Sequence, residues 1–387
     1  MLKKKFFFWS PFTDRVATVK SVINSAESLT KYSNGFIQTT IIDAVGEWQN
    51  DLEEIKSKKI NIISLNNSSI FKKFSKRGFI RSRIAYWFIF FSCFRPLIKL
   101  LKKEKPDYLI IHLLTSLPIF LTLIKKNKTK IILRISGHPK LNIIRYLFWK
   151  LFSKKIYKIT CPTVATYKYL LQKNIFDKNK LSVLRDPAII LNEYSKKKFD
   201  RIEQSQFYKK KFIIGIGRLT KQKNFALLIL AFEKILKKYP DYILLILGDG
   251  EQKMKLIELI NRLKIQDKVF LLGFQNNVYK YLLKADCFIL SSLWEDPGFV
   301  LLEAGLSNTC VISSNCMNGP QEILSSGKNG FLFENNNLND LLIKFDEFKK
   351  QDVSELNTKK KYLKKEIKKF TQFAHFNSLK KIINLVD

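Results

Sequence analysis

The chain has 387 residues, of which 46% are hydrophobic and 13% aromatic. That is enough apolar matter for two domains with cores of their own, and it excludes a disordered tail. Its 69 Lys and Arg against 33 Asp and Glu give a formal net charge of +36, which excludes an ordinary neutral surface and points to a polyanion nearby, a nucleic acid or an anionic membrane.

The excess is mostly lysine and spreads along the whole chain, a weaker nucleic-acid signal than an arginine-rich arm, so no nucleic-acid partner is expected. Cys93, Cys161, Cys287, Cys310 and Cys316 are scattered with no C-x-x-C spacing. They predict reduced thiols in a cytoplasmic protein, with neither a disulfide framework nor a zinc site.

In chain order, Phe6-Phe7-Phe8-Trp9 follows three lysines. The run is too short for a signal peptide and reads as a first buried strand. Further strands are predicted at 36–43, 60–65, 107–112, 130–135, 156–161 and 180–185, with helical spacing between them, as at 16–32 and 141–152. Several strands are continuous apolar runs, as at 108–111, which indicates parallel sheet buried on both faces. Residues 84–94, Ile-Ala-Tyr-Trp-Phe-Ile-Phe-Phe-Ser-Cys-Phe, lie between Arg77, Arg81, Arg83 and Arg95, Lys99, Lys102, Lys103. This segment fits either an interfacial membrane helix or a helix buried against the sheet. No uncharged apolar run reaches 18 residues, so no spanning helix is expected.

The polar stretch 187–211 breaks the alternation. Strands then resume at 212–216, 242–247, 269–272, 287–291, 310–313 and 330–333, before a lysine-rich helical end at 354–386. The fold class is therefore α/β: two doubly wound, Rossmann-like domains facing a central cleft, where ligands bind at strand carboxyl ends. The boundaries are 1–190, a linker at 191–210, 211–370, and a C-terminal helix at 371–387 that packs back on the first domain.

The densest chemistry is Ser291-Ser-Leu-Trp-Glu295-Asp-Pro-Gly298-Phe299-Val300-Leu-Leu-Glu303. A helix opening near Gly298 presents unpaired amides, which suit a diphosphate. Glu295 and Glu303 can reach two parts of one ligand and accept hydrogen bonds from hydroxyls. Two carboxylates beside a phosphate site suggest a nucleotide-sugar; the plainer reading is acid complementing a helix dipole. Among the histidines, His112 and His138 sit at predicted strand ends and could be either sugar contacts or inert.

The Glu295-x7-Glu303 spacing resembles the E-x7-E signature of retaining GT-B glycosyltransferases of family 4, glycosyl transferases group 1. Gly215-Ile-Gly217-Arg218-Leu-Thr-Lys221-Gln-Lys223-Asn224, Gly248-Asp-Gly250-Glu251, Val269-Phe-Leu-Leu-Gly273-Phe274 and Asn318-Gly319-Pro320-Gln321-Glu322 resemble four more of its loops, in the same order. The resemblance covers about 170 residues of the second half and implies a GT-B enzyme that moves a sugar from a nucleotide-diphosphate donor. It implies that Arg218 and Lys223 stabilise the leaving diphosphate and that Glu295 holds the transferred sugar. Glu303 would hold the ribose, Gly217, Gly248 and Gly250 would let backbone approach the donor, and Phe274 would line the base. The amides of Gly298, Phe299 and Val300 would touch phosphate, and His112 or His138 the acceptor.

No metal and no cofactor is expected: no D-x-D pair occurs, and fixed cations take the metal's place. The first loop, 10–19, lacks the glycines usual in the family, which leaves its contact open. The implied partners are a nucleotide-sugar, most simply a UDP-hexose or UDP-N-acetylhexosamine, and a glycan acceptor. Together with the charge, the resemblance fits a lipid-linked acceptor at the inner face of the cytoplasmic membrane, as in bacterial surface polysaccharide assembly. A nicotinamide dehydrogenase would need a third glycine after Gly217, where Thr220 stands. A pyridoxal-dependent phosphorylase would need a much longer chain. A non-enzymatic polyanion binder explains the charge but not the ordered loops.

Overall fold

A computed structural model describes residues 3–12, 17–66, 79–124, 128–139, 141–202, 207 and 210–385. Arg77, the 13–16 part of the first loop and the 203–206 and 208–209 parts of the polar stretch lie outside them, as do the side chains of Arg81 and Arg83.

Each apolar run carries a strand. In the first half these are β1 (Lys4–Trp9), β2 (Ile37–Asp43), β3 (Asn61–Ser64), β4 (Tyr108–Ile111), β5 (Lys130–Arg134), β6 (Lys158–Cys161) and β7 (Leu181–Val183). They form one parallel sheet in the order β3-β2-β1-β4-β5-β6-β7. In the interior strand β1 the side chains alternate between two cores: Phe7 and Trp9 pack with Leu109 and Ile111 on one face, Phe6 and Phe8 with Ile41 and Ile110 on the other. Burial on both faces is why β1 reads as an unbroken apolar run.

The second half gives β8 (Lys211–Ile216), β9 (Tyr242–Leu247), β10 (Val269–Leu271), β11 (Cys287–Leu290), β12 (Cys310–Ser314) and β13 (Phe331–Phe333). Their order is β10-β9-β8-β11-β12-β13, again all parallel. Sequence order reverses between β8 and β11, so the crevice beyond their carboxyl ends is the place for a ligand.

The chain divides into two compact units, Met1–Ala188 with Phe370–Asp387, and Ile189–Lys369. Residues of the polar stretch form the helix Leu191–Lys197 within the second unit. The last helix, Gln372–Ile382, lies on the helix Ala17–Tyr32, and Phe376, Leu379 and Ile383 join the core there with Val19 and Val22. His375 is buried in this contact, with Nδ1 2.7 Å from the Arg185 carbonyl and Nε2 2.8 Å from the Ser25 hydroxyl. A carbonyl only accepts, so Nδ1–H donates and the ring is neutral with Nε2 accepting. Burial, opposed by the Arg185 carbonyl and helped by the Arg134 charge, pulls its pKa down to about 4.

Helix Phe79–Glu104 carries the aromatic segment. Its stretch Ile84–Glu104 is long and apolar enough, by length and composition, to cross a membrane, with mean hydropathy 1.5 over an 18-residue window. The charges at Arg95 and Lys99 hide this when only uncharged runs are counted. In this fold Ala85, Ile89, Cys93 and Leu97 form its buried row in the core of the first unit.

Candidate active site

The site grows from two neighbouring strand ends in the second unit. After β8 come Gly217, Arg218 and a single turn at Lys221–Lys223 that leads into the helix Phe225–Lys238. After β11 come Ser291 to Gly298 and the helix Phe299–Leu306. Lys223 Nζ reaches Glu295 Oε1 at 2.6 Å, and the Ser292 hydroxyl donates to the same oxygen at 2.6 Å. Glu295 is only 4% exposed, so this is a buried ion pair and not a surface one.

Hydrogen bonds to main-chain carbonyls hold the two loops together. The Ser291 hydroxyl donates to the Lys223 carbonyl at 2.9 Å, Leu293 N–H to the Gln222 carbonyl at 2.8 Å, and the Gln222 amide to the Trp294 carbonyl at 2.8 Å. On its other side, Glu295 N–H donates to the Met317 carbonyl at 3.2 Å, and Asn318 Nδ2 to Asp296 Oδ1 at 2.5 Å.

Two glycines permit this density. A Cβ on Gly248, at φ +143°, would lie 1.9 Å from the Gly217 carbonyl oxygen. A Cβ on Gly319, at φ +147°, would lie 2.0 Å from the Pro297 carbonyl oxygen. No side chain fits either position.

The loops after β8, β9 and β10 are contiguous. Gly250 sits against Leu219, and Gly248 N–H donates to the Gly273 carbonyl at 2.8 Å. Phe274, next in the chain, is 75% exposed. The stem of Lys223 lies beside Gly217, and Gly298 lies beside Glu295. Arg218 is exposed, and its side chain makes no ion pair among the described residues. Phe299 and Val300 are half-buried at the helix start. Among the described residues no group of three His, Cys, Asp or Glu converges as a metal site would require.

Glu303 is half-buried one turn into its helix. Its charge, after burial itself, raises the pKa of the Tyr279 phenol, whose ring meets Tyr194 edge-on at 5.1 Å. Tyr279, Tyr194 and Ser292 therefore belong to the site's surroundings. Nothing in the spacing of glycines and charges marks the two tyrosines, which lie outside every such group.

The two histidines belong to the first unit. His112 follows β4 and is buried; burial first, then the Arg134 and His375 charges, hold its pKa well below the usual value. His138 lies beyond β5, half-buried, with its ring 4.4 Å from that of Tyr169. Both follow strand ends, as the sequence reading places them, His112 directly after β4 and His138 four residues beyond β5.

Residues 196–380 match the family model of the glycosyl transferases group 1. An uncharacterized glycosyltransferase of Methanocaldococcus jannaschii is 35% identical over 255 residues, covering 59% of this chain and 60% of that one. N-acetylgalactosamine-N,N'-diacetylbacillosaminyl-diphospho-undecaprenol 4-alpha-N-acetylgalactosaminyltransferase of Campylobacter jejuni is 31% identical over 223 residues, 56% of this chain and 59% of that one. The matches thus span about three fifths of these relatives. A glycosyltransferase structure from Rickettsia africae superposes with TM-score 0.75 at 18% identity over 99% of this chain and 100% of its own. HepE of Anabaena in complex with UDP does so with TM-score 0.74 at 14% identity over 100% of both chains. With two parallel sheets of this order and this family match, the chain has the GT-B fold and its residues 196–380 belong to the glycosyl transferases group 1 family.

Proposed function

We propose that the chain is a metal-independent, retaining glycosyltransferase. It moves a hexose or N-acetylhexosamine from a UDP-sugar to a lipid-linked glycan acceptor in bacterial surface polysaccharide or lipopolysaccharide assembly. The observation that carries this reading is the buried Lys223–Glu295 pair at 2.6 Å, set at the β8–β11 reversal with Arg218 on the same loop. A departing diphosphate gains negative charge as the glycosidic bond breaks, and preorganised cations at that point lower the barrier. Glu295 fixes the Lys223 ammonium and has Oε2 for a sugar hydroxyl. Glu303 takes the ribose hydroxyls.

Gly217, Gly248 and Gly250 let backbone approach the donor, Phe274 lies beside the base, and the first amides of the helix after Gly298, those of Phe299 and Val300, meet phosphate. The acceptor attacks on the face the leaving group departs from, and the leaving oxygen takes its proton, so catalysis is positioning plus electrostatics. His112 and His138 stay as acceptor-side candidates in the first unit. The Campylobacter jejuni relative, named for transfer to a diphospho-undecaprenol-linked sugar, and the UDP-bound HepE structure support donor and acceptor of these classes. Such a donor and acceptor place the chain in the cytoplasm, at the inner face of the membrane.

The test is a panel of UDP-, GDP-, ADP- and dTDP-sugars, read by donor hydrolysis and thermal shift, with the product anomer assigned by NMR. A UDP-sugar that is hydrolysed, with the donor's anomeric configuration kept in the product, supports the reading. No shift and no hydrolysis with any donor, or an inverted product, overturns it.

A further inference from the structure

We infer that the helix layer on one face of the first sheet docks on an anionic bilayer, through two helices that each present exposed apolar residues together with exposed cations. The inference concerns the first unit alone and stands apart from the donor reading. Along helix Phe79–Glu104 the outward positions are Ile84, Trp87 at 55% and Phe91 at 68% exposure, followed by exposed Arg95, Lys99 and Lys102. Along helix Ile143–Phe152 they are Ile143 at 77%, Ile144 at 79%, Leu147 and Leu151, with exposed Arg145 and Lys150 among them and exposed Lys154 and Lys155 after them. The inward rows of both helices are already used: Ile89 and Cys93 in one, Trp149 and Phe152 in the other, are buried in the same core. The helix Ser116–Ile124 joins the layer through Phe120, whose ring lies 6.1 Å from Phe90 and 6.4 Å from Phe94.

Three arguments select a bilayer as the occupant. First, both helices begin at the carboxyl end of the strand before them, β3 or β5, so their apolar halves lie at one edge of the sheet. Second, Phe91 and Lys99 are eight positions apart, about 12 Å of helix, which matches rings at the acyl boundary with ammonium groups among the phosphates. Third, between Glu54 and Asp177 the chain carries 27 Lys and Arg but only two carboxylates, Glu104 and Asp107. A second copy of the chain would bring the same cations to the contact and be repelled. An anionic bilayer accepts both the rings and the charge.

The test is co-sedimentation of the full chain with phosphatidylcholine vesicles and with vesicles containing about 30% phosphatidylglycerol, at low and high salt. The expected result is binding to the anionic vesicles, little to the neutral ones, and release of most of the protein by salt. Trp87→Ser with Phe91→Ser, and separately Ile143→Ser with Ile144→Ser and Leu147→Ser, should each weaken binding roughly tenfold or more at unchanged melting temperature. Brominated lipid provides a readout on the folded chain. In a Trp294→Phe background Trp87 is the remaining exposed indole, since Trp9, Trp48 and Trp149 are buried, and it should be quenched on binding. That quenching decides the matter if a serine variant unfolds. Absent binding to anionic vesicles, binding without Trp87 quenching, or protein that resists salt and leaves only with detergent, as a spanning helix would, each overturns the inference. A chain that transfers sugar to a soluble acceptor while ignoring vesicles would overturn it and leave the donor reading intact.

Discussion

Replacing Lys223 by Met separates what the ammonium does for the fold from what it does for turnover. The methionine keeps an apolar stem beside Gly217 and removes the charge. Glu295, 4% exposed, is left with the Ser292 hydroxyl as its side-chain donor. Stranding a buried charge in this way costs about 3–5 kcal/mol. The lower end applies, about 3 kcal/mol, because the Lys223 side chain keeps 14% of its exposure and water can reach the gap. For a unit of this size that lowers the melting temperature by roughly 6–12 °C. Turnover should fall about 10²- to 10³-fold, the scale for losing one group that stabilises developing charge.

The double variant Lys223→Met with Glu295→Met removes both charges, so its loss of stability should fall short of the sum of the two single losses by about 2 kcal/mol. Its turnover should stay lost. Urea denaturation followed by circular dichroism measures the first quantity, and product formation from the donor measures the second. A Lys223→Met protein that melts within about 2 °C of wild type would show that the pair does not form. One that is destabilised yet keeps more than half of its turnover would make the pair structural only.

Arg218→Ala should lower turnover by about 10²-fold at unchanged melting temperature, because the side chain is exposed and unpaired among the described residues. Gly248→Ala should abolish donor binding in calorimetry, since the new Cβ would overlap the Gly217 carbonyl; Gly273→Ala, with φ +68° and nothing within 4 Å, should cost only about 1 kcal/mol in a urea titration. Glu303→Ala should weaken UDP and the UDP-sugar alike, whereas Glu295→Ala should weaken the UDP-sugar far more, and calorimetry giving equal losses for both ligands in both variants would refute the division of roles. Stability should fall as pH drops from about 6.5 towards 4, because His375 stays neutral in the fold down to about 4 while the unfolded chain binds the proton. The loss from this residue approaches roughly 3 kcal/mol, and His375→Gln should flatten the slope of urea midpoints across that window.

The strands were legible because a parallel sheet buried on both faces makes each one a continuous apolar run. Their ends were less so: Ile156 and Ile60 are buried just before β6 and β3 without joining them, so apolar runs overshoot the hydrogen-bonded segments. The site's loops were legible from glycine and charge spacing, but the contact that organises them was not. Lys223 and Glu295 lie 72 positions apart and meet only because β8 neighbours β11. Helix Ile143–Phe152 was legible as a helix and not as a surface. Apolar residues at helical spacing look alike whether they face Trp149 and the core or, like Ile144, face water.

Charge alone could not have separated working cations from solvated ones in so basic a chain. Lys238 pairs with Asp346 at 2.9 Å, yet its side chain is 55% exposed, and such a pair contributes little. Lys223 has a shorter pair, a buried carboxylate partner and a second donor on the same oxygen, beside backbone that tolerates no side chain. Desolvation makes the difference: a cation held by a fixed, buried carboxylate is oriented before any ligand arrives. On the face inferred above to dock on a bilayer, the cations at Lys99 and Lys154 would act by the opposite logic, staying hydrated and mobile to follow lipid phosphates. Their spacing from an exposed apolar stripe, rather than a partner, is what marks them. One composition thus serves two kinds of electrostatics, and burial is the variable that assigns each lysine to one or the other.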